Sequence, residues 1–374
     1  MYDLHEFLES IDKSVISNDV GYFNNQIGKE IEVYEEEIPS LEGVDIVLLG
    51  ISEKRGSGEK ISDDENKAIR NALYNLYLWH KDIKIADLGN IKTGETLADS
   101  YAAIKIVVSE LIKLKKAVIL IGGTHDNTIG QYYSYRQLNE FIEATVIDSK
   151  INLQSESAMP DENFLLEMLT EEPNHIRHYN HIGFQSYFIH PDMLETMDKL
   201  RFDCFRVGIA KEDMEEMEPV IRNSSMVSFD ISAIKHSDAP SNACSPNGFS
   251  GEEACILTRF AGLSETVSTL GIYGYNKLKD INHMTAIQIA EMIWYFIDGK
   301  SRCKKESSLS DKENFNHFHL TFTDLSTTFL QSKKTGRWWM ELPNKKMIPC
   351  SKKDYSDASN NLIPERWLRA QERG

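Results

Sequence analysis

Long apolar runs are missing from this chain of 374 residues. No stretch approaches the roughly 18 consecutive apolar residues that a membrane-spanning helix needs. The opening Met1-Tyr2-Asp3-Leu4-His5-Glu6 lacks the basic-then-apolar order of a signal peptide. Net positive charge is missing too. The formal net charge is −17 and no block of Lys or Arg offsets it, which argues against nucleic acid and anionic membrane as partners. Cysteine is sparse: Cys204, Cys244, Cys255, Cys303 and Cys350 follow no paired spacing, so free thiols and a reducing, cytoplasmic setting are expected.

What is present is a series of eight short, continuously apolar runs, near 44–49, 83–88, 117–121, 144–147, 181–184, 204–207, 226–229 and 269–273. Runs of this kind alternating with helical periodicity predict an α/β chain with a parallel sheet covered on both faces. The clearest helices are expected over 100–115, where Ala103, Val107, Leu111 and Leu114 share a face, and over 285–297. Three divisions follow: an N-terminal arm (1–40), an α/β domain (41–298) and a C-terminal extension (299–374). Residues 299–316 are polar and lysine-rich and read as a linker or mobile loop. Three of the five tryptophans, Trp338, Trp339 and Trp367, lie beyond it. Large aromatics mark burial or an interface, so this extension is expected to pack on the main domain as a hairpin and final helix, or to meet another subunit.

Three of the apolar runs end in polar strings that carry chemistry. They read Gly122-Gly123-Thr124-His125, Asp148-Ser149-Lys150-Ile151-Asn152 and Ser228-Phe229-Asp230-Ile231-Ser232. Strand ends are where open α/β sheets build their sites. Asp148 and Asp230 follow buried-looking runs and are hard to explain as solvated charges. His125 alone would pass for a loop histidine, and Asp126 and Asn127 for the cap of a helix running through Ile129, Tyr132 and Leu138.

In order and spacing these strings resemble the ureohydrolase family of arginase, agmatinase and formimidoylglutamase. That family carries Gly-Gly-Asp-His, Asp-x-His-x-Asp and Ser-Phe-Asp-x-Asp at the corresponding strand ends. A fourth stretch, Pro246-Asn247-Gly248-Phe249-Ser250-Gly251-Glu252-Glu253, resembles the family's Gly-Gly-Leu-x-x-x-Glu. Gly56-Ser57-Gly58 leading to Ala68-Ile69-Arg70 resembles its glycine-rich loop, without the usual Gly-Pro. The likeness covers roughly 40–300 and implies a three-layer α-β-α fold with an eight-stranded parallel sheet. The extension resembles that of Bacteroidetes-type, formimidoylglutamase-like proteins.

The resemblance also implies a binuclear manganese centre, and here the chain departs from it. His125, Asp148 and Asp230 match three ligands of one ion, but the fourth is Asn152. Lys150 stands where the second ion would take a histidine, and Ser232 where it would take an aspartate. Two carboxylates facing a protonated lysine balance poorly against two divalent ions in a low-dielectric pocket. An ammonium has no lone pair to offer a metal. The set His125, Asp148, Asn152 and Asp230 therefore suits one ion at most, with Lys150 filling the vacated position as a point charge on Asp148 and Asp230; a metal-free salt bridge is the alternative. The family's proton-shuttling histidine falls at Ser157, which is no general base near neutral pH. By resemblance Glu253 would hold the guanidinium or amidino group of a small-molecule or amino-acid ligand. Equally, it reads as a first-turn carboxylate favoured by a helix dipole.

Two readings stay open. One is a non-catalytic pseudoenzyme that binds a small molecule or a partner, a second copy of the chain included. The other is a hydrolase of a linear amidine C–N bond using one metal, with Lys150 as electrostatic stabiliser.

Overall fold

The computed structural model describes residues 3–16, 21–61, 65–322 and 325–372. Eight parallel strands form its centre: β1 (Ile46–Ile51), β2 (Ile85–Ile91), β3 (Ala117–Ile121), β4 (Ile142–Ile147), β5 (Ile176–Phe184), β6 (Asp203–Arg206), β7 (Met226–Asp230) and β8 (Thr269–Tyr273). Each expected run lies on one of these strands. Residues of β1, β3, β7 and β8 are buried throughout, as befits strands covered on both faces. The spatial order is β2-β1-β3-β8-β7-β4-β5-β6. Two further two-residue strands, Leu8–Glu9 and Glu32–Val33, pair with β2 and close that edge of the sheet. They belong to the N-terminal arm, of which residues 17–20 lie outside the described residues.

Helices cover both faces. On one side α1 (Glu65–Tyr74), α7 (Gly251–Gly262) and α8 (Met284–Lys304) share a core in which Ile69, Leu257 and Ile289 meet Ile119 and Val227. On the other lie α2 (Leu97–Lys113), α3 (Thr128–Gln137) and α4 (Pro160–Thr170), packed through Val107, Ile129 and Phe164. The intervening α5 (Pro191–Lys199) and α6 (Met217–Arg222) follow β5 and β6. Helix α2 begins in a capping box, Thr96 with Asp99, which satisfies N–H groups that the first turn leaves open. Arg70 of α1 is buried and forks onto Asp87 of β2 at 2.8 and 3.1 Å. Of the glycine-rich loop before α1, residues 62–64 lie outside the described residues.

The expected linker at 299–316 is a correction. Helix α8 runs through it as far as Lys304. Gly299 does not punctuate the chain: a Cβ there would lie 2.4 Å from Arg259 O and 2.9 Å from Gly262, so the glycine lets α7 and α8 close on each other. Beyond it the extension is larger than a hairpin and helix. An antiparallel sheet of β9 (Phe315–Phe322), β10 (Leu325–Ser332), β11 (Trp338–Glu341) and β12 (Met347–Cys350) is followed by α9 (Lys352–Ser359) and α10 (Glu365–Glu372). Residues 323 and 324 lie outside the described residues.

All three tryptophans of the extension are buried within the chain itself. Arg222, at the end of α6, holds the extension to the main domain. Its guanidinium stacks on Trp339 at 4.4 Å, donates to Trp338 O at 2.9 Å and pairs with Glu218 at 2.8 Å. The five cysteines are free, as their spacing predicts.

Candidate functional site

The strand order places the three polar strings side by side. Strand β8 lies between β3 and β7, and β7 lies beside β4, so the ends of β3, β7 and β4 converge on one edge. Gly122 and Gly123 make the turn after β3 with φ of 85° and 70°, and a Cβ at Gly122 would meet Ile51 O at 2.7 Å. That turn aims His125 across the sheet. A cleft of about 330 Å³ opens there, lined in part by His125, Asp148, Lys150, Asn152, Asp230 and Ser232.

Asp148 is the hub of this cluster. Its Oδ2 accepts from His125 Nδ1 at 2.8 Å and from Asn152 Nδ2 at 3.2 Å. Its Oδ1 accepts from Ser232 Oγ at 2.7 Å, from the Lys150 backbone N–H at 3.1 Å and from Ser149 Oγ at 3.4 Å. Asp230 lies further out. Its Oδ1 accepts from the Ser232 backbone N–H at 2.7 Å and its Oδ2 is 3.9 Å from His125 Nδ1.

These contacts fix the charges. Burial by itself would lower the His125 pKa, but the hydrogen bond and charge of Asp148, with Asp230 and Asp161 nearby, raise it to about 9. The imidazolium then has two donors, and its Nε2 is 3.0 Å from Ser228 Oγ. Burial acts to raise the Asp148 pKa, yet the charge and hydrogen bond of His125 hold it below the usual carboxylate range. Asp230 goes the other way, raised by burial and then by the neighbouring charge of Asp148.

Lys150 does not take the position expected of it. It lines the cleft, yet among the described residues its ammonium forms no ion pair with Asp148 or Asp230, and only its backbone reaches Asp148. The reason is local. His125 already pairs with Asp148, and five donors occupy the Asp148 oxygens.

Glu253 is placed by its helix. It closes a capping box with Ser250 at the start of α7, accepting from Ser250 N at 2.7 Å, and pairs with Lys211 at 2.9 Å. Ser157 likewise serves a helix start, donating to Glu162 at 2.6 Å. Asp126 and Asn127 do not cap α3 through their side chains. Asp126 is buried against Tyr101 and Thr124, each at 2.5 Å, and Asn127 Nδ2 donates to Glu53 O and Thr124 O.

The structure adds Asp161 to the cluster. From the first turn of α4 it accepts the His125 backbone N–H at 2.9 Å and faces the cleft. Lys279 and Glu59 line the same cleft, 3.7 Å apart. An acid directly after Met159-Pro160 was the signal for Asp161, since a first-turn carboxylate beside a strand-end loop can serve both.

The donor set fits a binuclear centre badly. Asp148, which would bridge two ions, is filled by hydrogen-bond donors, and Asn152 and Ser232 bring a neutral amide and a hydroxyl to the cluster, where hard divalent ions favour carboxylates. Among the described residues, no three His, Cys, Asp or Glu side chains are arranged to hold a metal ion.

The model of the arginase family matches residues 44–298. The chain belongs to the arginase family. It is similar to formimidoylglutamase of Lysinibacillus sphaericus (strain C3-41), with 24% identity over 153 residues, 40% of this chain and 47% of that protein. The match thus spans about half the length of that relative. Among solved structures it is similar to formimidoylglutamase of Bacillus subtilis, with TM-score 0.67 and 15% identity, covering 76% of this chain and 95% of that one. Trypanosoma cruzi formiminoglutamase with Mn2+ gives a TM-score of 0.64 at 18% identity, covering 71% and 99%. Arginase from Bacillus subtilis gives 0.59 at 16%, covering 68% and 98%. At these identities the likeness shows the fold alone. Among the described residues, no helix is long and apolar enough to cross a membrane.

Proposed function

We propose that this arginase-family chain is a pseudoenzyme, a ligand-binding member in which an ion pair replaces the binuclear metal centre. The observation that carries this reading is the saturation of Asp148. Ser232 and Asn152, both at former ligand positions, donate to it, and His125 completes the set as a cation. Stripping these donors to admit an ion would cost their hydrogen bonds together.

The cleft above suits a small molecule with charges of both signs, such as an amino acid or amidino compound. Lys150 and Lys279 supply cations to it, and Asp161, Asp230 and Glu59 supply carboxylates. Glu253 contributes to the helix start rather than to this cleft. Protein dialysed against manganese and incubated with formimidoylglutamate tests the reading. No turnover above the rate without protein is expected, and turnover that scales with enzyme and is lost in Asp148→Asn would overturn it.

The second reading, a one-metal hydrolase, draws on the Lys150 ammonium, which lines the cleft without pairing to either carboxylate. In that case Lys150→Met would abolish turnover while leaving the fold intact.

A further inference from the structure

A second cleft, of about 780 Å³, lies between the start of α7, the outer face of α8 and the segment that follows α1. Aromatic side chains make much of its wall. Trp79 is 77% exposed, Tyr77 51% and Tyr295 37%, values unusual for rings of this size. Trp294 holds the wall in place, with its indole N–H donating to Tyr77 O at 2.8 Å and its ring 5.6 Å from that of Tyr295.

Charge selects what would lie against these rings. Lys235, the cation of the lining, is paired with Asp238 at 3.3 Å. Glu252 and Glu291 also line the cleft, and among the described residues neither forms an ion pair. The start of α7 offers no anion site, because Gly251 N–H donates to Asp238 at 2.8 Å and Glu253 N–H to Ser250 at 3.2 Å. Aromatic faces beside unpaired carboxylates favour a cation twice over, through the ring quadrupole and through direct charge.

We propose that this cleft is a binding site for a small organic cation carrying an alkylated ammonium or guanidinium head. It is separate from the Asp148 cleft, with which it shares no lining residue. Choline and its neutral carbon isostere, 3,3-dimethyl-1-butanol, are the probes, titrated into the full chain while the indole N–H resonances are followed by NMR. Choline should shift Trp79 and Trp294 saturably at millimolar concentration and leave Trp338, Trp339 and Trp367 in place. The isostere should bind about threefold or more weakly. Trp79→Ala and Glu291→Gln should each weaken choline by about threefold or more, with the other indole resonances unchanged as the control for folding. Equal binding of the isostere, a shift spread over all five indoles, or no saturable shift would overturn the proposal.

Discussion

Arg222 and His125 are both buried cations, and they do opposite things. Arg222 sits under the C-terminal extension and His125 under the cleft, and both are at most 5% exposed. Arg222 is permanently charged, sealed by Trp339 and bonded to two backbone carbonyls of the extension, Trp338 O and Cys350 O. His125 owes its charge to Asp148. The first is a fastener; the second lines a cleft at the strand ends. A buried cation that binds carbonyls and an aromatic face stabilises an interface, whereas one that binds a strand-end carboxylate occupies a site.

Breaking the fastener should have the largest effect. Arg222→Ala leaves Glu218 buried without its partner and removes the stack on Trp339, so a loss of about 3–5 kcal/mol is expected in urea denaturation. A loss under about 1 kcal/mol would mean that the extension is held mainly by its own core. His125→Ala strands Asp148 in the same way but beside a cleft that water reaches, and about 2–3 kcal/mol is expected. Ser232→Ala removes one of five donors to Asp148 and should cost about 1 kcal/mol. Lys150→Ala should change stability by less than about 0.5 kcal/mol, since its ammonium pairs with neither carboxylate. A larger loss in that variant would restore the ion pair that the sequence suggested.

This gradient also separates what the sequence makes legible from what it hides. All eight strands are legible because a parallel sheet buried on both faces writes itself as continuous apolar runs. Asp148 and Asp230 are legible because a carboxylate directly after such a run seldom sits there as a solvated charge. The partner of Asp148 is not, because a lysine two residues on looks like a counter-ion until the turn at Gly122 and Gly123 is seen to deliver His125 instead. Glu253 shows the same ambiguity: the Ser-x-x-Glu spacing of a capping box is contained within the family motif, and periodicity cannot separate the two. Residues 299–304 mislead because Gly299 reads as a breaker, whereas its role is the close approach of α7 and α8. Arg222 carries no local signal, since its partners in the extension lie more than a hundred residues away.

The most direct test of the account is metal content by elemental analysis after dialysis against manganese. The native chain and a Lys150→His, Asn152→Asp, Ser232→Asp variant would be measured side by side. On this account no stoichiometric manganese is expected in the native chain and metal is expected in the variant, as it must be if only the ligands at positions 150, 152 and 232 stand between this scaffold and a metal centre. About one equivalent or more retained by the native chain would contradict it, since Asp148 would then have to exchange its hydrogen-bond donors for an ion.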